Sequence, residues 1–426
     1  MNKVIRFMAS LFNKSAGKTA LGRLRLAVWT TIFALCSQSG LAQPYTPESP
    51  DTVVDTLPPA IVELAADIRR QQTSSATDTV DPNQILSQAM TAYQLAASSG
   101  DARAYGRTLS ILKRWPDDTQ PPAMYRILLA AVLQHNHAFA EALNQLQAIT
   151  GAGPDAGNSS AYMQALMITA QIGLVTGDYA RVAQSCDALR SAARRPLYVN
   201  CQAQLDGVTG NAREALDLVD DTLRNSTRLN ALDYQELFTT AAIINHRLGD
   251  VAQAESYYQN ALRLAPELGY LRVNFANLLL EQGRHNELIQ WLSPEDDATL
   301  NPELSILLAR GLQARGTADD LQRADNMVSR LARDFDLAFM RNEAIPYKEY
   351  AQYALHLARQ PSAALQAARE NWSVQKEPSD TRLLASAAAA SDDRATLSEI
   401  EQWVNRIGTE DSRLQEILAS HQGPAS

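Results

Sequence analysis

Leu-Gly-Asp-Val-Ala-Gln-Ala-Glu-Ser-Tyr-Tyr-Gln-Asn-Ala-Leu-Arg-Leu-Ala-Pro, residues 248–266, decides the fold. Gly249 reads as the end of one helix and Asp250 as the cap of the next. Ala254, Tyr258 and Ala261 then fall on one helical face, at spacings of four and three. Pro266 stops that helix. The preceding helix, about 235–247, is expected to turn Phe238, Ala241 and Ala242 inward. Two short helices cross at small residues, with a bulky residue beside the crossing.

Outward from this stretch the pattern recurs. The next turn, Gly283-Arg284, lies 34 residues after Gly249, and the small residues Ala242 and Ala276 are also 34 apart. Earlier turns are expected at Gly210-Asn211, Gly177-Asp178 and Gly100-Asp101, with a weaker one near His137. Later ones are expected near Gly316, Arg359-Gln360 and Asp392-Asp393. Extra residues at Asn225–Asn230 and a glycine-rich insertion at Gly151–Gly157 stretch two of the steps.

The unit resembles the tetratricopeptide repeat, a helix-turn-helix of about 34 residues. One such hairpin cannot bury its own apolar face, so units must stack. The expected fold class is all-α, a tetratricopeptide-like α-solenoid. Its expected organisation is a signal peptide over 1–42, a flexible Pro/Thr/Asp-rich spacer over 43–82, a solenoid of about eight or nine hairpins over 83–407, and a capping helix with a frayed tail over 408–426. A short helix from Pro58 through Arg70 is expected within the spacer. More narrowly, the chain resembles secreted tetratricopeptide-repeat proteins of Gram-negative bacteria. That resemblance rests on Arg284-His285-Asn286-Glu287-Leu288, Arg369-Glu370-Asn371-Trp372 with Glu377-Pro378-Ser379-Asp380, and the pair Cys186 and Cys201. It implies the architecture and no activity.

Composition agrees with helices. The 426 residues are 46% hydrophobic and only 6% aromatic, and alanine, leucine, glutamine and arginine lose little rotamer freedom in a helix. The net charge is -9, and removing the six positive charges of residues 1–42 makes it -15. Such a surface repels phosphate backbones, so no nucleic acid is expected as a partner. A cationic or neutral partner suits it better.

The first segment reads as an address. A basic stretch over 1–25 precedes the apolar run Leu26–Cys36, and Gly40-Leu41-Ala42 forms a small-x-small cleavage site before Gln43. The apolar run is shorter than the roughly 20 residues of a membrane-spanning helix, though retention as an anchor is the alternative. A lipoprotein reading through Cys36 wants leucine three residues earlier and a small residue just before, where Phe33 and Leu35 stand. The expected localisation is the periplasm or the secreted fraction, by general secretion.

No motif carries catalytic chemistry. The chain has no glycine-rich phosphate loop, no Gly-x-Ser-x-Gly elbow and no His-Glu-x-x-His helix. The acidic pairs Asp117-Asp118, Asp220-Asp221, Asp296-Asp297 and Asp392-Asp393 read as caps and solvated charges. His135 and His137 form a His-x-His in a turn, but lack a nearby cysteine or acidic ligand that would complete a metal site. Trp291, Trp372 and Trp403, each on the second helix of a unit, read as packing between repeats. No enzyme activity, metal or cofactor is expected.

In a tetratricopeptide stack the first helix of each unit lines the concave face. Alignment on the turn glycines puts Asn200, Gln204, Thr239, His246, Arg247, Tyr270, Asn277, Glu281 and Arg310 there as the candidate partner-binding set. Members of the family that grip carboxylate tails use a lysine-asparagine clamp on this face, and these positions hold no lysine. Arg247 and Arg310 remain suited to a carboxylate. Two function classes follow. One is a non-catalytic scaffold that binds a protein or peptide on the concave face, in envelope assembly, export or maturation of another protein. The other is an accessory of metal or small-molecule handling.

Cys186 lies nine residues after Gly177 and Cys201 nine residues before Gly210. Each is about two turns from the link at Arg194-Arg195-Pro196, on two helices expected to pack antiparallel. An oxidising compartment would join them as a disulfide. The alternative is two buried thiols filling a tight seam.

Overall fold

The computed structural model describes residues 81–421 apart from 100–101, 118, 154–158, 193–194, 298–299 and 342–344, together with residues 49, 62 and 66. The expected signal peptide over 1–42 lies outside the described residues, as does its cleavage site. Of the helix expected over 58–70, residues 62 and 66 are described, and both are helical.

Nineteen helices and no strand occur among the described residues. The first five helix-turn-helix pairs are α1 (Pro82–Ser99) and α2 (Ala102–Leu112), α3 (Ala123–His135) and α4 (Phe139–Thr150), α5 (Ser159–Thr176) and α6 (Tyr179–Ala192), α7 (Arg195–Val208) and α8 (Ala212–Asn225), and α9 (Ala231–Leu248) and α10 (Val251–Leu264). Four more follow: α11 (Gly269–Glu281) and α12 (His285–Leu292), α13 (Pro302–Arg315) and α14 (Ala318–Arg341), α15 (Tyr347–His356) and α16 (Pro361–Val374), and α17 (Pro378–Ala390) and α18 (Arg394–Ile407). A single helix, α19 (Ser412–His421), ends the series. The chain is an all-α solenoid.

The described residues of 53–335 and 346–426 form one compact unit, and 336–341, the last residues of α14, fall outside it.

The turn inside each pair explains the repeat. Gly177, Gly210, Gly249, Gly283 and Gly316 all have positive φ, from 66° to 86°. His137, Arg359 and Asp392 take the same place with φ of 53–58°. The three turns that lack glycine therefore keep the geometry of those that have it, at the cost of placing a side chain in the left-handed region. Asp250 caps α10 through the Gln253 amide at 3.2 Å. Asn230 and Asp233 form a reciprocal capping box on α9.

The crossings are built from alanine, as the spacing requires. Ala241, Ala242, Ala254, Tyr258, Ala261 and Ala276 are fully buried. Phe238 is half-buried between Tyr234 and Tyr257, with ring centroids at 5.8 and 6.1 Å. Small side chains let helix axes approach closely, and the larger Tyr258 fills the space beside them. Cys186 and Cys201 are joined as a disulfide between α6 and α7, with their Cα atoms 5.5 Å apart.

The solenoid closes on itself. The stretch from Lys376 to Arg413 returns to the turn edge of the third, fourth and fifth pairs. The Lys376 amide donates to the Val175 carbonyl at 2.6 Å, and the Thr409 hydroxyl donates to the Val208 carbonyl at 2.6 Å. The Ser412 hydroxyl donates to the Arg247 carbonyl at 3.2 Å. Three successive turn glycines meet this segment: Gly177 faces Trp403 and Lys376, Gly210 faces Gly408, and Gly249 faces Ser412. At Gly210 the approach is backbone to backbone, and a Cβ there would stand 2.9 Å from the Gly408 carbonyl oxygen.

Candidate functional site

Burial divides the candidate residues into two groups. Four are buried and held by the chain itself. Asn200 is 2% exposed. Its Nδ2 donates to Glu236 at 2.6 Å and its Oδ1 accepts from Thr240 at 2.7 Å. The Thr239 hydroxyl donates back to the Gln235 carbonyl at 2.7 Å. His246 and Arg247 are 6% and 4% exposed. The expectation that these four stand open to a partner is corrected. Helix α7 packs against α9, which covers Asn200, and the returning C-terminal segment covers Arg247.

Arg247, His246 and Glu281 come together. The Arg247 guanidinium donates to the Glu410 carbonyl at 3.2 Å and to the Gly207 carbonyl. His246 Nε2 lies 2.6 Å from Glu281, and Nδ1 lies 3.3 Å from the Tyr258 hydroxyl. Glu281 is further paired with Arg413 and, at 3.9 Å, with Arg382. Arg382 reaches Asp411 at 3.4 Å. This cluster fastens the C-terminal helices to the inner face of α9 and α11. An Arg247→Ala variant would therefore loosen the closure, and is no neutral probe of partner binding.

Burial first, then Arg382 and Arg413, lower the His246 pKa to about 3. The nearby Glu281 carboxylate does not require a charged ring. A neutral imidazole with its proton on Nε2 donates to Glu281 and accepts from Tyr258 at Nδ1, which satisfies both contacts. The folded pKa lies below the unfolded 6.5, so the stability due to neutral His246 is present above pH 6.5 and is lost as pH falls toward about 3. His246→Gln should remove one proton from this dependence. The stability difference between wild type and variant should then shrink by about 1.4 kcal/mol per pH unit on acidification. Denaturant titrations of both proteins at pH 6 and pH 4 measure it, and parallel pH profiles would refute it.

The other candidates stay nearer solvent. Gln204 is half-buried, and the half-buried Asn277 donates to the Val273 carbonyl of its own helix at 3.0 Å. Arg310 is half-buried, and burial lowers its pKa to about 10. Tyr270, at the start of α11, is 53% exposed. Burial nonetheless raises its hydroxyl pKa, and Glu377, Lys348 and Asp380 act on it electrostatically. His137, in the turn between α3 and α4, also feels Asp380 and Lys348.

No family model and no curated protein matches this chain. Among solved structures, the apo quorum sensor NprR from B. thuringiensis is 14% identical, with 74% of this chain and 94% of that one covered and a TM-score of 0.39. Human IFIT1, as a dimer with m7Gppp-AAAA, is 12% identical over 85% of each chain, with a TM-score of 0.41. Yeast Tom70 is 13% identical, with 93% and 80% covered and a TM-score of 0.39. At these scores none of them lends this chain a partner or an activity. The repeated left-handed turns and alanine crossings are its own. It is a tetratricopeptide-like solenoid.

The histidine pair of the second repeat is taken up by packing. His135 stacks on Tyr105 at 3.6 Å, and burial lowers its pKa to about 4. His137 sits edge-on to Phe139. Among the described residues no group of three or more His, Cys, Asp or Glu is arranged to hold a metal ion. The tryptophans pack as well. Trp372 and Trp403 meet edge to face at 5.8 Å with Lys376 over both rings, and Trp291 lies edge-on to Phe275. No described helix is long and apolar enough to cross a membrane.

Glu303, Lys348, Glu349, Glu377, Asp380, Arg382, Glu410, Asp411 and Arg413 carry no motif that marks them in the sequence. Glu377 and Asp380 read locally as helix caps. Glu377 is in fact the N-cap of α17, in a capping box with Asp380.

Proposed function

We propose that this chain is a non-catalytic scaffold of the periplasm or the secreted fraction, which binds a protein or peptide segment within the curl of its solenoid. The observation that carries this reading is Tyr270. It is a large aromatic side chain at the start of α11, 53% exposed beside the fully buried Leu271. An amphipathic ring presented to solvent is the kind of anchor on which binding energy concentrates. The basic, apolar and small-residue zones of residues 1–42 support export. The acidic balance of the remainder supports a protein partner over nucleic acid. The lack of any nucleophile-base or cofactor motif supports a binding role over catalysis.

The test is a pull-down from envelope extract with residues 43–426, wild type and Tyr270→Ala. A protein retained in stoichiometric amount by wild type, and at least tenfold depleted on the variant with helical content unchanged, is the expected result. Equal retention by both would remove Tyr270 from the site. A metal retained through dialysis, with no protein, would replace the scaffold by an accessory of metal handling.

A further inference from the structure

The last two pairs and α19 have an apolar core of their own. Ala351, Trp372, Leu384, Ile400 and Leu414 belong to it, and all of it lies within residues 347–418. The cores of the third to fifth pairs draw on residues 162–257. Neighbouring pairs there share apolar packing, as Val219 of α8 does with Leu237 of α9. The end of the chain touches the same pairs, yet its core and theirs share no residue among those described. An aromatic contact crosses the seam, Trp403 to Tyr179, with ring centroids 6.5 Å apart. Beside it lies a cavity lined by Tyr179, Trp403, Ile407, Thr409 and Leu414. Apolar packing across the seam is therefore incomplete, unlike that of a protein interior.

Polar contacts hold the seam, and they repeat in step with the fold. Val175, Val208 and Arg247 each stand two residues before a turn glycine, at the end of the first helix of the third, fourth and fifth pairs. The last carbonyls of a helix have no donor within it. Here the donors come from the end of the chain: the Lys376 amide, the Thr409 hydroxyl and the Ser412 hydroxyl. The Glu410 carboxylate accepts from the Ala212 amide, at the start of α8, at 3.3 Å. Arg413 and Arg382 pair with Glu281 of α11. The Arg413 and Glu281 side chains are 23% and 24% exposed, so dissolved salt screens the pair. Water replaces such hydrogen bonds at small net cost.

We propose that the end of the chain is a reversible latch. The last two pairs and α19 keep their shared core, swing away from the turn edge of the third to fifth pairs, and settle back. A polar seam between two separate cores opens well before either core unfolds. Opening uncovers the three carbonyls, the Arg247 guanidinium and the Glu281 carboxylate. The closed form fills that surface with the segment Thr409–Arg413, through hydroxyl donors, a carboxylate and a cation. That a partner takes the place of this segment rests on the scaffold reading, whereas the latch itself does not.

The test is hydrogen exchange of residues 43–426. The Lys376 amide reports the closure, because its acceptor, the Val175 carbonyl, lies across the seam. It should be at least tenfold less protected than amides inside α9 and α18. Its protection should fall at least tenfold further from about 0.05 M to about 0.5 M sodium chloride, which screens the Arg413–Glu281 pair. Arg413→Ala should do the same at low salt, with protection inside α18 unchanged. Equal protection of Lys376 and the α9 interior at every salt concentration would show a closure broken only by global unfolding, and would overturn the latch. Loss of protection inside α18 together with Lys376 would also overturn it, since the end would then unfold and not swing. The salt series on the unaltered chain decides even if Arg413→Ala fails to fold. The scaffold reading fails separately: a latch that opens, with no protein retained in the pull-down, stands without it.

Discussion

Gly210→Val should unfasten the C-terminal helices from the solenoid and cost more stability than the same change at Gly283. Gly210 has φ of 86°, where a β-branched side chain is strained by about 1–2 kcal/mol. Its added Cβ would also stand 2.9 Å from the Gly408 carbonyl oxygen, which is backbone and has nowhere to go. The two strands of chain must separate, and with them go the Thr409 to Val208 and Glu410 to Arg247 hydrogen bonds. Gly283→Val is the control. Gly283 has φ of 66°, and nothing lies within 4 Å of a Cβ built there. It should therefore lose only the backbone part, and the difference between the variants reports the closure. Hydrogen exchange over 394–421 should rise in Gly210→Val and stay unchanged in Gly283→Val. Equal destabilisation with equal exchange would show that the glycine contact holds nothing together.

Removing the Cys186–Cys201 bond should cost about 3 kcal/mol, the chain-entropy value for a loop of about 15 residues. The two sulfurs join α6 to α7, so the bond fixes the seam between the third and fourth pairs. Both cysteines are almost fully buried, at 0% and 2% exposure. Each as alanine would leave a small gap in addition to the lost constraint, so the double variant Cys186→Ala/Cys201→Ala is compared with the reduced wild type. The midpoint of denaturation should fall in both, and by similar amounts. Unreduced protein covering residues 43–426, once denatured, should show no thiol reactive to a titrating reagent. Two reactive thiols in that material would rule the bond out.

How much of this was legible depends on the range of the interaction. Turns at Gly177, Gly210, Gly249, Gly283 and Gly316 announce themselves through a residue that tolerates positive φ, and the flanking alanines recur at helical spacing. Even the turns at Arg359 and Asp392 were readable, because the register around them points to the place where a turn must come. The disulfide was readable too, since its cysteines lie symmetrically about one link between neighbouring helices. Helix, turn and nearest-neighbour seam are all decided within about 40 residues, and within that distance periodicity leaves a trace.

The interior was not legible. Arg247 and His246 read in the sequence as residues open to a partner, yet both are buried. Their partners, Glu410 to Arg413, lie more than 160 residues along the chain, and no periodic pattern links positions so far apart. Lys348 and its ion-pair partners Glu303 and Asp380 come from three helices and read locally as ordinary surface charges or caps. The sequence by itself determined which segments are helices, where they turn and which neighbours they pack on, because those are short-range matters of backbone hydrogen bonding and apolar spacing. Only the tertiary structure decided that the stack curls far enough for its end to meet its middle. That curl is the sum of small rotations between successive pairs, each too small to mark the sequence, and it turns a row of solvated side chains into a closed, charged interior.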